Sequence, residues 1–177
     1  MAVYFTNFTI ICVHFWVKMP KNARIYQKQG AKMSEKQGAT SVCIKDMGEP
    51  KLKTIAMPSN TNPAGNIFGG WIMSQIDLAG SIASRELAPE RTVTVAMDKV
   101  VFKQPVFVGD VVCCYAKVTG VGNTSIEVRV EVIAERTNSD GFMICVPVTA
   151  ANLTFVSVTK DGKKKPIDAE LKKAHGF

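Results

Sequence analysis

Histidine is nearly missing from this chain: among its 177 residues only His14 and His175 are histidines, one towards each end. A G-x-S-x-G elbow is missing as well, so a Ser–His hydrolase triad has neither its nucleophile turn nor its base. The five cysteines, Cys12, Cys43, Cys113, Cys114 and Cys145, include no C-x-x-C pair. Zinc-ribbon and thioredoxin-like readings therefore fail on spacing. Adjacent Cys113 and Cys114 in a strand point to opposite faces, which suits buried reduced thiols in a cytoplasmic protein. Acids are absent from residues 1–32, which hold Lys18, Lys21, Arg24, Lys28 and Lys32. Of the net +7, that segment takes +5 and leaves +2 for everything after it. Lys163, Lys164, Lys165, Lys172 and Lys173 gather near the C-terminus, so the body between is close to neutral. Nucleic acid as a partner is excluded on that ground, because it asks for a basic stripe on the fold itself.

The apolar stretch from Ala2 to Val17 has no basic region before it and no small-residue cleavage site after it. It is also shorter than the ~20 residues that usually span a bilayer, so membrane contact through residues 2–17 is disfavoured. Residues 1–50 read as an extension and linker, Lys/Gln/Gly-rich beyond position 18 and without sustained periodicity. Met33 is a candidate for a truer start. Residues 51–168 read as the domain, and 169–177 as a C-terminal tail.

Charge is scarcest where the chain is most helix-like. Between Lys53 and Arg85 the only charged residue is Asp77, in the middle of Trp71-Ile72-Met73-Ser74-Gln75-Ile76-Asp77-Leu78-Ala79-Gly80-Ser81-Ile82-Ala83. A carboxylate in an apolar setting must be paired, hydrogen-bonded, neutralised or turned to a ligand cavity. It marks the place to look for chemistry, unless Asp77 lies on a narrow wet edge of the helix.

Around that helix the pattern is of strands. A short strand over Lys51–Met57 leads into the turn-rich Pro58-Ser59-Asn60-Thr61-Asn62-Pro63-Ala64-Gly65-Asn66, and Gly69-Gly70 opens the helix, which Pro89 closes. Ile72, Ile76, Ala79 and Ala83 form one apolar stripe, with Met73, Leu78 and Ile82 on its flanks, so the helix reads as wrapped by other structure. Strands follow over 92–101, 111–121, the alternating Ile126, Val128, Val130 and Val132, and 142–158, with turns at Gly122-Asn123 and Asn138–Gly141. The order is strand, buried helix, then four strands in meander-like succession. A single sheet covers one long helix by curling around it, which gives an α+β fold. Its open edge invites a second copy, hence a dimer and a possible larger assembly.

Asn60–Asp77, together with Val108-Gly109-Asp110-Val111-Val112-Cys113-Cys114-Tyr115 and Gly122-Asn123-Thr124-Ser125-Ile126, resembles the hotdog-fold acyl-CoA thioesterases, most closely those of YciA type. The resemblance spans roughly residues 50–168. It implies a curved antiparallel sheet around one long helix, dimers with active sites across the subunit seam, often trimers of dimers, and hydrolysis of acyl-CoA to free fatty acid and coenzyme A without a cofactor. The family's helical acid falls on Asp77, and an Asn contributed by the partner subunit falls on Asn66. Where the family commonly has Arg after Gly in the later turn, this chain has Asn123. A related dehydratase of the same fold would use a catalytic His, which the domain lacks.

The residues suit that chemistry. Asp77 can serve as general base on water or attack the carbonyl itself. A free carboxylate is a weak base at neutral pH, so the reading asks for partial burial among Met73, Ile76 and Leu78. Free amides at the helix start, Gly70 above all with Gly69 beside it, can hold the thioester oxygen as charge builds; a glycine pair can also serve packing alone. Asn66 can equally be a turn or cap residue. Lys103 and the Asn123-Thr124-Ser125 turn are candidates for coenzyme A phosphates, or ordinary surface. The alternative function is a non-catalytic acyl-CoA binder or regulator.

Overall fold

The computed structural model describes residues 48–177. The extension expected over 1–50 therefore lies almost wholly outside the described residues. Among the described residues five strands and two helices follow in the order β1 (Leu52–Ile55), α1 (Gly69–Ser84), β2 (Thr92–Asp98), β3 (Val111–Val121), β4 (Ser125–Thr137), β5 (Met143–Ser157) and α2 (Ala169–Ala174), with a 3-10 turn at Pro58–Asn60. The strands make one sheet in the order β1-β3-β4-β5-β2, antiparallel at every pairing. One long helix on an antiparallel sheet is the α+β hotdog arrangement.

The expected four-strand meander is corrected in one respect. Only β3, β4 and β5 run as a meander, while β2 lies at the far edge against β5. The hairpin turns fix β4 between β3 and β5, and β1 occupies the outer side of β3, so the free edge of β5 is the place left for β2. β2 also stops earlier than its β-branched run suggested. Lys99 takes a φ of 58°, a left-handed conformation that breaks the pleat two residues before the run ends at Val101.

The core forms where the two periodicities meet. Ile72, Ile76, Ala79 and Ala83 recur at helical spacing and are buried; Ile126, Val128 and Val130 recur at strand spacing and join them, as do Val112, Cys114, Leu153 and Phe155. Each large apolar side chain removed from water here contributes about 1.5–3 kcal/mol. Gly80 is what lets the helix sit so close: a Cβ there would stand 2.9 Å from the Phe155 ring. Cys113 faces the other way, into a smaller cluster with Tyr115 and Ile133 on the opposite side of the sheet, as the strand alternation required.

Bulges adjust the strands locally. Val148 is an extra residue in β5, next to Pro147, whose missing N–H is tolerated at such an irregularity. The Val148 carbonyl accepts from Lys103 N at 2.8 Å and so anchors the 99–110 connection to the sheet. A second extra residue, Val95, interrupts β2 directly after Thr94. At the C-terminal end, Ile167 N donates to the Asn123 carbonyl, Asp168 caps α2 through Glu170 N at 2.7 Å, and Leu171 packs on the core. Among the described residues no helix is long and apolar enough to cross a membrane.

The helix is not wrapped on all sides. Met73, Leu78 and Ile82 are 40%, 50% and 42% exposed, because the sheet covers one face of α1 and leaves the other open within the protomer.

Candidate active site

The chain entering α1 is held by its own asparagines. Asn60 Oδ1 accepts from Met57 N at 3.0 Å, and Asn62 Oδ1 accepts from Ala64 N at 2.9 Å and Asn66 N at 3.2 Å. Asn62 N returns a bond to the Asn66 carbonyl at 2.7 Å, Phe68 N reaches the Asn60 carbonyl at 2.8 Å, and Ile67 N reaches the Val106 carbonyl at 2.9 Å. Asn residues favour such side-chain-to-backbone bonds, which is why a stretch dense in turn formers becomes a fixed loop here.

That loop borders a cleft of about 360 Å³ lined by Asn62, Asn66, Gly69, Phe102 and Lys103 among others. Trp71 N and Ile72 N both donate to the Phe68 carbonyl, while Gly69 N and Gly70 N have no backbone acceptor among the described residues. Two free donors at the positive end of a 16-residue helix make an anion-stabilising corner. The structure thus brings Asn66, Gly69 and Lys103 to one cleft at the start of α1, next to Gly70.

Asp77 is not in that cleft. It is half-buried, seven residues along the helix from Gly70, which places it about 10 Å further along the axis. The burial expected around it is present only on one side, since Ile76 is fully enclosed but Met73 and Leu78 are open. Its Oδ1 accepts a 2.6 Å hydrogen bond from Thr94 Oγ1 on β2. The Asn123-Thr124-Ser125 turn lies elsewhere again. It is tied to β5 and the C-terminal segment by Ser157 N to the Thr124 carbonyl and Ile167 N to the Asn123 carbonyl, beside the residues that follow the end of α1. A helix of this length spans about 24 Å, so one protomer does not gather these groups around one ligand.

The exposures along α1 carry a pattern. Gly70, Met73, Ser74, Leu78 and Ile82 are exposed and Asp77 and Ser81 half-buried, whereas Ile72, Gln75, Ile76, Ala79, Gly80, Ala83 and Ser84 are buried. Spacings of three, four and seven put the first set on a single face. Asp77 and Gly70 share that open face, two turns apart.

Other groups prove structural. Burial pushes the Cys113 thiol up to about 11 and the Cys114 thiol up to about 12, so neither is a nucleophile near neutral pH. Asp110 pairs with Arg136 at 2.7 Å and accepts from Phe107 N at 2.9 Å, and Arg136 also donates to the Pro105 carbonyl and lies over the Phe107 ring. This network fixes the 105–110 turn, whose first two residues, Pro105 and Val106, line the cleft. Lys165 is engaged with Glu90, whose carboxyl it holds below the ordinary range. Sequence reasoning missed Thr94, Asn62 and Phe102. Asn62 was visible only as a turn former, and Thr94 as one β-branched residue in a strand; which side chain faces the acid depends on the register of β2 against the helix.

A thioesterase superfamily model matches residues 64–140. The acyl-CoA thioester hydrolase YciA of Salmonella typhimurium is 44% identical over 123 residues, 70% of this chain and 92% of that protein. A hexameric hotdog-fold thioesterase of Campylobacter jejuni superposes with a TM-score of 0.73 at 69% identity, covering 75% of this chain and 100% of that one. A hexameric broad-specificity acyl-coenzyme A thioesterase, solved as an aspartate-to-alanine mutant, gives 0.66 at 45% identity over 72% of this chain and 94% of its own.

Proposed function

Since the chain belongs to the YciA-type acyl-CoA thioester hydrolases, we propose that it hydrolyses acyl-CoA to free fatty acid and coenzyme A at a site shared between two copies. The observation that carries this is the open face of α1, with an acid at position 77 and free amides at its start, on one line but about 10 Å apart.

A two-fold axis near Met73 and Ser74 resolves that separation. Two antiparallel copies of α1 packed there bring residue 77 of one opposite residue 70 of the other, because both lie about equally far from the axis. The seam also covers the flanking Met73, Leu78 and Ile82. Each dimer then holds two sites, each with Asp77 from one subunit and the Gly70 amide and Asn66 from its partner. The relatives described as hexameric support assembly beyond the dimer.

In such a site the thioester carbonyl oxygen sits against the Gly69 and Gly70 amides. Asp77 takes a proton from water as the water oxygen adds to the carbonyl carbon, and the tetrahedral intermediate's negative charge is held by the amides. Collapse breaks the C–S bond and releases coenzyme A as thiolate, which recovers the proton. The variant route, with Asp77 as nucleophile, passes through a mixed anhydride that water then opens. Asn66 orients the water or the carbonyl. Lys103 at the cleft mouth offers a cation to the phosphates of coenzyme A, and the Asn123-Thr124-Ser125 turn offers an amide and hydroxyls from the far end of a neighbouring subunit. Nothing in this route calls for a metal or cofactor, and acyl-CoA as the substrate suits the cytoplasm.

The test is release of free thiol from acyl-CoA esters of increasing chain length by wild type, Asp77→Ala and Asn66→Ala, with scattering to show that all three keep one assembly. Turnover by wild type that Asp77→Ala loses, with binding retained, supports the reading. Binding without thiol release by wild type would instead make the protein an acyl-CoA binder or regulator.

A further inference from the structure

Three serines lie on α1, and one of them is unused within the chain. Ser74 Oγ donates to the Trp71 carbonyl at 2.7 Å, while Ser84 Oγ donates to the Ser81 carbonyl at 3.0 Å and meets Thr92 Oγ1 at 3.0 Å. Ser81 Oγ has no hydrogen-bond partner among the described residues. The residue is half-buried, one helical turn beyond Asp77. We propose that Ser81 holds the hydrolytic water, its Oγ accepting one hydrogen of that water while the Asp77 carboxylate takes the other. The proposal rests on the general-base role given to Asp77 above.

Three features of the structure carry it. Asp77 and Ser81 are four residues apart, the spacing that sets Cβ atoms about 5–6 Å from each other on one helix face. A single water fits between a carboxylate and a hydroxyl so placed and bonds to both. Gly70 belongs to the same line: at about 100° of turn per residue it lies between them around the helix, with Asp77 about 20° to one side and Ser81 about 20° to the other. Finally, an axis near Met73 and Ser74 that sets residue 77 opposite residue 70 sets residue 81 opposite residue 66. The water therefore lies beside the amides that hold the thioester oxygen, and the Ser81 hydrogen is left to donate to the side-chain carbonyl of Asn66 of the partner subunit. A water bound by the carboxylate alone is free to turn about that one bond, whereas a second contact aims its lone pair at the carbonyl carbon. As the oxygen–carbon bond forms, Asp77 takes one proton; Ser81 keeps its bond to the other and transfers nothing.

A serine that only faces solvent would have the same geometry, so the test reads which nucleophile the acyl group meets. Wild type, Ser81→Ala, Ser81→Thr and Asp77→Asn are assayed for thiol release from a short acyl-CoA, with and without hydroxylamine. Free acid and hydroxamate are both quantified after subtraction of the uncatalysed reaction, with circular dichroism and scattering on each variant. Alanine is the best helix former, so Ser81→Ala keeps α1 intact. The expected result is a fall of about tenfold in kcat for hydrolysis in Ser81→Ala, the weight of roughly one hydrogen bond. KM changes by less than about threefold, because no ground-state contact to substrate is removed. Hydroxylamine does not depend on a held water, so the hydroxamate-to-acid ratio rises towards the same factor of about ten. That ratio is independent of how much of the enzyme is folded. Ser81→Thr, which retains the hydroxyl, recovers most of the lost rate. Undiminished kcat in Ser81→Ala, or a loss shared equally by water and hydroxylamine, overturns the proposal while leaving the acid's role intact. Wild-type turnover by Asp77→Asn overturns the reading on which the proposal rests, and is seen without reference to Ser81.

Discussion

The two halves of α1's open face are built differently. At its start, loop 60–68 is cross-linked by Asn60 and Asn62 to its own backbone and by Ile67 to Val106, and it borders a formed cleft. From Met73 to Ile82 the same face has one side-chain hydrogen bond that leaves the helix among the described residues, Asp77 to Thr94, and a row of exposed apolar groups beside the edge strand β2. The first region is finished within one chain, with two amides already free of other partners. The second is left open within the protomer, and on the proposed reading a second copy completes it. If the proposed shared site holds, its donors are set within one chain and its acid is enclosed only on assembly.

That comparison is broken most severely by removing the acid. Asp77→Ala is expected to lower kcat by about a thousandfold with little change in folding stability, within the range general-base groups supply; thiol release and thermal melting check both halves. Gly70→Pro attacks the finished region instead. Proline is tolerated in the first turn of a helix, where it removes an N–H that has no intrahelical acceptor, and the flexible Gly69 before it absorbs the restriction its ring imposes, so a loss of about a hundredfold in kcat is expected while the fold persists. The unfinished region is sharpened by Leu78→Asp, which sets a charge on the open face without touching the protomer's core. Light scattering should report dissociation and activity should fall with it, and both should recover at high protein concentration.

Smaller effects lie away from the seam. Gly80→Ala forces a methyl towards the Phe155 ring at 2.9 Å and should cost about 1–3 kcal/mol of stability in denaturant titration, with activity per folded molecule retained. Cys113 and Cys114, held at about 11 and about 12 by burial, should resist a thiol reagent at pH 8 in the folded protein and react on unfolding, as mass mapping of the labelled peptides would show.

The sequence made some of this legible and hid the rest for physical reasons. The stripe of Ile72, Ile76, Ala79 and Ala83 and the alternation of β4 follow from backbone periodicity, and both formed the core as read. The place of β2 did not follow, because strand order is decided by which edges the hairpins leave free, and no local pattern states that. Asp77 stood out because charge is scarce around it, yet its partner Thr94 was hidden in a β-branched run whose register is reset by a bulge at Val95. The helix looked apolar on all sides because the residues left open on its outer face, Met73, Leu78 and Ile82, are as apolar as those against the sheet. Lys103 and the 123–125 turn were grouped as one candidate phosphate site; within a protomer they belong to opposite ends of the fold.

The most direct measurement is complementation between two inactive subunits. Asp77→Ala and Gly70→Pro chains, carrying different tags, are co-expressed at equal levels and the mixed assemblies are assayed for thiol release. With sites shared across the seam, each mixed dimer regains one intact site from the unmutated half of each chain, and random pairing predicts about a quarter of the wild-type rate. Mixed assemblies no more active than either parent would contradict the shared site and place Asp77 and Gly70 in service of the same protomer.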